Sequence, residues 1–246
     1  MRIVSWNIRA GGGVRVEAIA AQIAAWNADV VALSEYRGTP ASLWLAEALQ
    51  QQGFIHQHST ANPRTPAVNS LLMASRWPMR RMQPRPSPTE PRRWAMFQIA
   101  APTPLAIGAM HVPNRITGRK GKFLNDLLSM AQAWRRGPAL IVGDTNTGRI
   151  GIDEESPAFD RFEDDWMVAM QQARWRDAFR HIHDKDLAYT WYSPNKGNGF
   201  RLDEGFVNVR LIKRMTDACY VWGELDGSSR RDALSDHAAL ILDFND

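Results

Sequence analysis

Six short apolar runs in this chain each end in, or open from, a residue able to bind a metal or move a proton. IleValSerTrp runs into Asn7, ValValAlaLeuSer into Glu35, and LeuAlaIleGlyAlaMet into His111. AlaLeuIleValGly runs into Asp144, with Asn146 just beyond; ArgLeu leads to Asp203, and Ser235-Asp236-His237 opens the last run. Taken alone, an Asp or Asn at a strand end is ordinary turn or cap chemistry. A lone histidine beside an apolar run is ordinarily hydrogen-bonded structure. Six coincidences in a chain holding only six histidines point instead to strand tips converging on one cleft equipped for metal or acid–base chemistry.

The elements that would carry these residues alternate between two periods. Val16, Ile19, Ile23 and Trp26 recur at steps of three and four after a Gly11-Gly12-Gly13 turn, which predicts an amphipathic helix stopping at Asn27. Thr39 and Pro40 predict a capped second helix closed by Gly53. Phe123, Leu127, Met130 and Trp134 mark a third, and Phe162, Trp166, Ala169 and Ala173 a fourth. Strands are expected at Val68–Ala74, Ala95–Ile99, Leu105–Met110, Ala139–Val142, Leu202–Val207, Ala218–Val221 and Ala238–Leu242. Several are spaced as hairpins, so two mixed sheets packed face to face with helices outside fit better than one parallel sheet. Arg76–Arg93, with its five prolines, reads as an irregular connection.

Composition is that of a globular chain. Its 246 residues are 44% apolar, enough for a sizeable core, and no linker divides them, so residues 1–246 read as a single domain. A strand begins right after Met1, leaving no room for a signal peptide, and the single Cys219 suits a small buried hydrophobe on a strand. No apolar run approaches a membrane span. These features set the expectation of a cytoplasmic protein with no membrane association, a monomer by default with no obligate protein partner. The net charge of +4 is unevenly spread. Arg64, Arg76, Arg80, Arg81, Arg85, Arg92 and Arg93 fall in one stretch, and Arg115, Arg119, Lys120 and Lys122 in another, which suits a polyanionic partner.

In this order and with these flanks, SerTrpAsnIle, LeuSerGlu, HisValProAsn, GlyAspThrAsn, ArgLeuAsp and SerAspHis resemble the signature of the endonuclease/exonuclease/phosphatase superfamily, spanning residues 4 to 237. The resemblance implies an α/β fold, a four-layered α/β/β/α sandwich of two packed mixed β-sheets, and hydrolysis of phosphodiester bonds. It implies Mg²⁺ or Mn²⁺ held by Glu35, Asp236 and Asn7, oxygen ligands suited to hard ions. Asp144 would hold or activate the attacking water, and Asn146 and His111 would donate to phosphate oxygens. His237 would face the phosphate as donor, acid or base, oriented by Asp203. Which group deprotonates the water stays open at this level. Ser34 stands where the family usually carries Gln, and Arg9 where nuclease relatives often carry an acid. Arg9, and Arg115 of the second basic stretch, are expected to contact substrate. His111 stands where many repair-type relatives carry Tyr and other branches His.

TrpArgAspAlaPheArg, TyrThrTrpTyrSer and GlyPheArgLeuAsp resemble the exonuclease III and abasic-site endonuclease branch. The likeness implies a pocket for a base-less sugar at Trp191, Phe200 and Leu202, although Glu204 replaces a residue that is often aromatic or aliphatic. The expectation is therefore a DNA endo- or exonuclease of repair type. Two alternatives share much of the pattern: a phosphatase or phosphodiesterase for a small phosphoester or phospholipid headgroup, and a non-catalytic nucleic-acid-binding module.

Overall fold

A computed structural model describes residues 1–223 and 234–245. Strands β1 (Arg2–Asn7), β2 (Val30–Tyr36), β3 (His56–Ser59) and β4 (Ser70–Ser75) come first, interleaved with helices α1 (Val16–Ala25) and α2 (Pro40–Gln51). Next come β5 (Met79–Met82), β6 (Trp94–Ile99), β7 (Leu105–His111), α3 (Lys120–Ala133) and β8 (Ala139–Asp144). Helix α4 (Arg161–Gln172), β9 (Trp175–Asp177) and α5 (Ala178–His183) follow. The chain closes with β10 (Trp191–Tyr192), β11 (Gly199–Phe200), β12 (Asp203–Asn208), β13 (Met215–Val221) and β14 (Ala239–Phe244).

Two six-stranded mixed sheets result, ordered β13-β14-β1-β2-β4-β3 and β5-β6-β7-β8-β12-β9. Their central strands are buried on both faces, which is why they read as unbroken apolar runs. Alternate residues serve different layers. Ile3, Ala32, Leu71, Ile107, Leu140 and Leu240 meet between the sheets. Val4, Leu33, Leu72 and Ile241 face Ile19, Ile23, Leu45 and Leu49 of α1 and α2. Ile141 and Phe206 face Phe123, Leu127, Trp166 and Met170 of α3 and α4. The order is helix, sheet, sheet, helix, as the hairpin spacing predicts. Truncating a side chain of the middle layer, as in Leu240→Ala, would cost about 2–5 kcal/mol. Among the described residues no helix is long and apolar enough to cross a membrane.

Several local expectations shift. The proline-rich stretch contains β5, an edge strand paired with β6 from Met79↔Ile99 to Met82↔Met96. Pro78 and Pro84 lie outside its ends, where a missing N–H breaks no ladder. Thr39 sits at the start of α2, but its hydroxyl donates to Ser42 Oγ at 3.3 Å rather than accepting a backbone N–H. Helix α4 buries Glu163, Trp166, Met167 and Met170 and leaves Phe162 exposed. Its start is set by a reciprocal capping box between Asp160 and Glu163. Cys219 lies on the edge strand β13 and is only half-buried against the layer of α1 and α2, short of the buried position expected of it.

Candidate active site

Strand register gathers the chemistry. Parallel pairing sets His111 of β7 against Asp144 of β8, and antiparallel pairing sets Asp144 against Asp203 of β12. In the other sheet Asn7 of β1 pairs with Ser34 of β2. Just past Ser34 the register slips, and Glu35 takes a left-handed backbone, φ 57°. Such a bulge re-aims one side chain. It is held in place by Ala10 N donating to Glu35 Oε2 at 2.7 Å and by Gly11 N donating to the Glu35 carbonyl at 2.8 Å. Gly143, immediately before Asp144, is there for lack of a side chain: a Cβ would lie 1.9 Å from the Met110 carbonyl oxygen.

The two sheets are bonded to each other at this edge. Asn7 Nδ2 donates to Asp144 Oδ2 at 3.0 Å, and Asn146 N donates to Asp144 Oδ1 at 2.8 Å. Ser235 Oγ donates to the Asn7 carbonyl at 2.5 Å, and Trp6 Nε1 to the His237 carbonyl at 2.9 Å. His237 Nδ1 lies 2.8 Å from Asp203 Oδ2. His111 Nε2 lies 3.6 Å from Asp144 Oδ2. Asn146 has a left-handed backbone, φ 49°, and its Nδ2 donates to the Val112 carbonyl at 2.9 Å.

Burial acts on both imidazoles, with opposite outcomes. For His111 burial wins, reinforced by Arg93 against the pull of Asp144, and brings its pKa down to about 4. For His237 burial would also lower it, but the bonded Asp203 outweighs this and holds it up at about 10. At neutral pH one imidazole is uncharged and the other is a cationic donor. Burial pushes the Asp144 carboxyl up, opposed by His237 and His111 and assisted by Asp203.

Glu35 and Asp236 are partly exposed at the rim, and the oxygen of the buried Asn7 amide accepts Arg9 N at 3.0 Å. Among the described residues no three His, Cys, Asp or Glu side chains form a ready cage for a metal. Two carboxylates and an amide oxygen nevertheless fit a Mg²⁺-type ion, which retains several waters and takes few protein ligands. Arg9 stands across this rim, its Nε 3.8 Å from Asp236 Oδ2.

Beside Asn146 a cavity of about 290 Å³ is walled by Trp191, Phe200, Leu202, Phe159 and Arg115. Antiparallel pairing of β10 with β11 sets Trp191 against Phe200, and the Trp191 ring lies 6.3 Å from that of His237. The structure thus brings Trp191, Phe200 and Leu202, the residues expected to form a sugar pocket, to the edge that holds Asn146 and His237. Arg115 is there too, but its charge is committed: Nε donates to Glu163 Oε1 at 3.0 Å.

The basic stretches divide. Lys120 is buried against Glu163 and the Asn146 carbonyl, Lys122 pairs with Asp126, and Arg119 pairs with Glu90. Arg76 lies over the Phe54 ring and caps the Ala28 and Gln52 carbonyls. Arg81, Arg92, Arg93 and Arg119 line one groove of about 660 Å³. Arg93 ties that groove to the site, its Nη1 donating to the His111 carbonyl at 3.2 Å.

Sequence reasoning passed over the residues that hold the dyad from behind. Thr190 Oγ1 accepts from Leu202 N at 2.9 Å and Asp203 N at 3.2 Å. Tyr220 Oη donates to the Asp203 carbonyl at 2.7 Å and accepts from Arg201 Nη1 at 3.2 Å. Arg201 is fully buried, clasping Asp153 with Nε at 2.6 Å and Nη2 at 2.9 Å and reaching Asp177 at 2.6 Å. Its place in ArgLeuAsp was the available signal; its acidic partners lie up to 48 residues away.

A model of the Endonuclease/Exonuclease/phosphatase family matches residues 4–237. No curated protein matches the chain in sequence. Among solved structures, the 3′ phosphatase NExo from Neisseria, bound to product DNA hairpin, superposes with a TM-score of 0.81 at 19% identity, covering 100% of this chain and 99% of that one. An AP endonuclease from Archaeoglobus fulgidus gives 0.81 at 18% identity, with 100% of both chains covered. A 3′-5′ exonuclease (NExo) from Neisseria meningitidis gives 0.79 at 19% identity, again covering 100% of both. At such identities the likeness establishes the fold.

Proposed function

The chain belongs to the endonuclease/exonuclease/phosphatase family, and from that membership we propose that it is a divalent-metal-dependent phosphodiesterase acting on DNA, a repair-type endo- or exonuclease. The observation that carries the reading is one continuous edge. The Asp203–His237 dyad and the Asn7–Asp144–Asn146 cluster adjoin a small aromatic cavity at Trp191, Phe200 and Leu202.

Each group has work suited to its surroundings. His237, cationic and fixed by Asp203, donates to a phosphate oxygen as charge develops there. Asp144, its oxygens aimed by Asn7 and Asn146, accepts the proton of the attacking water. Neutral His111 and the Asn146 amide donate to the remaining phosphate oxygens. Glu35 and Asp236, with the Asn7 amide oxygen, would hold Mg²⁺ or Mn²⁺, which when bound supplies positive charge to the phosphate. Arg81, Arg92 and Arg93 offer the flanking strand a cationic track, since phosphate contacts dominate affinity for nucleic acid. Of the similar structures named above, one is described as a 3′ phosphatase bound to product DNA hairpin and another as an AP endonuclease, which supports this reading.

The test is cleavage of a labelled duplex bearing one abasic site beside an intact duplex, a 3′-phosphorylated end and inositol phosphates, with Mg²⁺, Mn²⁺ or chelator. Metal-dependent cutting at the abasic site supports the full reading. Equal degradation of both duplexes keeps the nuclease and removes the sugar pocket. Hydrolysis of the small phosphoester alone overturns the substrate.

A further inference from the structure

We propose that Arg9 is the built-in counter-ion of the cation site: its guanidinium neutralises Asp236 when no metal is bound and must yield when one arrives. The inference rests on reading Glu35 and Asp236 as the cation ligands.

The backbone puts Arg9 there. Arg9 and Ala10 have left-handed φ values of 51° and 53°, opening a turn that continues through Gly11, Gly12 and Gly13. Arg9 N donates to Asn7 Oδ1 at 3.0 Å, and its carbonyl accepts Gly12 N at 3.1 Å and Arg15 Nη2 at 2.7 Å. A non-glycine residue in this region is held by its surroundings. Its side chain is not: it is 57% exposed, and its contact with Asp236 is a single ion pair at 3.8 Å. Among the described residues no other basic side chain lies within ion-pairing distance of Asp236.

A second guanidinium behaves differently. Arg15 is pinned by the Leu234, Ile8 and Arg9 carbonyls, so it ties the first loop to the segment carrying Asp236. It lies in the electrostatic field of Glu35, Asp236 and Arg9 together. Asp236 therefore faces one movable positive charge, Arg9, and shares with Glu35 the field of a fixed one, Arg15. Exposed pairs of this length are held weakly, so a divalent ion can displace Arg9, yet it does so against a like charge. Metal uptake is then an exchange of cations at Asp236.

The experiment is Mn²⁺ titration of the chelator-stripped full chain without DNA, following free Mn²⁺ by EPR, for the wild type, Arg9→Ala, Arg9→Lys and Asp236→Asn. Cooperative melting of each variant establishes that it is folded. Removing one positive charge a few ångströms from a divalent ion in a solvated site should tighten Mn²⁺ binding about tenfold in Arg9→Ala. Arg9→Lys should stay near the wild type, and Asp236→Asn should bind weakly. Arg9→Ala affinity equal to or below the wild type, with Asp236→Asn still weak, overturns the counter-ion role alone. Mn²⁺ binding unchanged in Asp236→Asn, or absent from every protein, removes Asp236 as a ligand and the proposal with it.

Discussion

His237 Nδ1 lies 2.8 Å from Asp203 Oδ2 while both side chains are almost wholly buried. That bond fixes the plane of the ring and leaves Nε2 to serve the cleft. Asp203 is itself located by β12 pairing with β8 and by Thr190 and Tyr220, so the histidine inherits the rigidity of a sheet.

Replacing His237 by Ala should lower turnover by about 10²–10⁴-fold, the scale of a positioned acid–base group, and should also lower the melting temperature, since the buried Asp203 carboxylate loses its partner. Asp203→Asn should lose a comparable share, because an amide neither supports the charged ring nor selects its tautomer. Single-turnover rates at saturating substrate check both. Near wild-type rates in soluble, folded His237→Ala would end the assignment.

Chelation should abolish activity, and Glu35→Ala should raise the Mg²⁺ needed for half-maximal rate. Residues that only orient a metal ligand cost about 10–100-fold in affinity, so a ligand should cost at least that. A superimposable Mg²⁺ titration would remove Glu35 from the ligand set.

The cavity is best probed at Trp191, which is half-buried, because Phe200 is 9% exposed and its truncation would also cost about 3–5 kcal/mol of stability. Trp191→Ala should raise KM on an abasic duplex about tenfold or more, the scale of about 1.5–3 kcal/mol for the apolar surface that the base-less sugar no longer covers. Cleavage of intact duplex should change less. Equal effects on the two substrates would make the wall structural.

The arginine groove carries a prediction in salt. Arg81→Ala with Arg92→Ala should flatten the dependence of log K on log salt by about 0.9 for each phosphate that is no longer neutralised. DNA binding measured at several ionic strengths reads this out, and an unchanged slope would place the strand elsewhere.

How far the sequence reached depends on the range of the interaction. Strand tips at Asn7, Asp144 and Asp203 were legible because apolar runs end abruptly there, and sheet register brings such ends together. The layered fold followed from the same runs. Arg115 and Lys120 read from the sequence as part of a basic stretch open to a polyanion, whereas both pair with Glu163, which sits on another helix. Thr190 and Arg201 escaped notice as individual residues because satisfying a buried backbone or carboxylate leaves no periodic trace. β5 was hidden by flanking prolines that an edge strand tolerates.

Glu204 gives the last prediction. It is fully buried next to Asp203, with neither carboxyl oxygen hydrogen-bonded and Arg201 Nη2 3.1 Å from Oε1. Arg201 and Arg180 already serve Asp153 and Asp177, so two guanidiniums face three acids. Burial, then the neighbouring Asp177 and Asp153, push the Glu204 carboxyl well above its ordinary value of 4.5 against the pull of Arg201. A proton kept in the folded chain and lost on unfolding makes stability fall as pH rises above that ordinary value, by at most about 1.4 kcal/mol per pH unit. Glu204→Gln keeps the shape and removes the titration. The variant should match the wild type near the ordinary carboxylate pKa and melt progressively higher than it as pH rises toward neutrality and beyond. A melting difference that does not vary with pH would show that Glu204 is ionised in the fold. Arg201→Met, by contrast, strands buried acids and should cost about 3–5 kcal/mol above the acid range, since removing one partner leaves the others uncompensated.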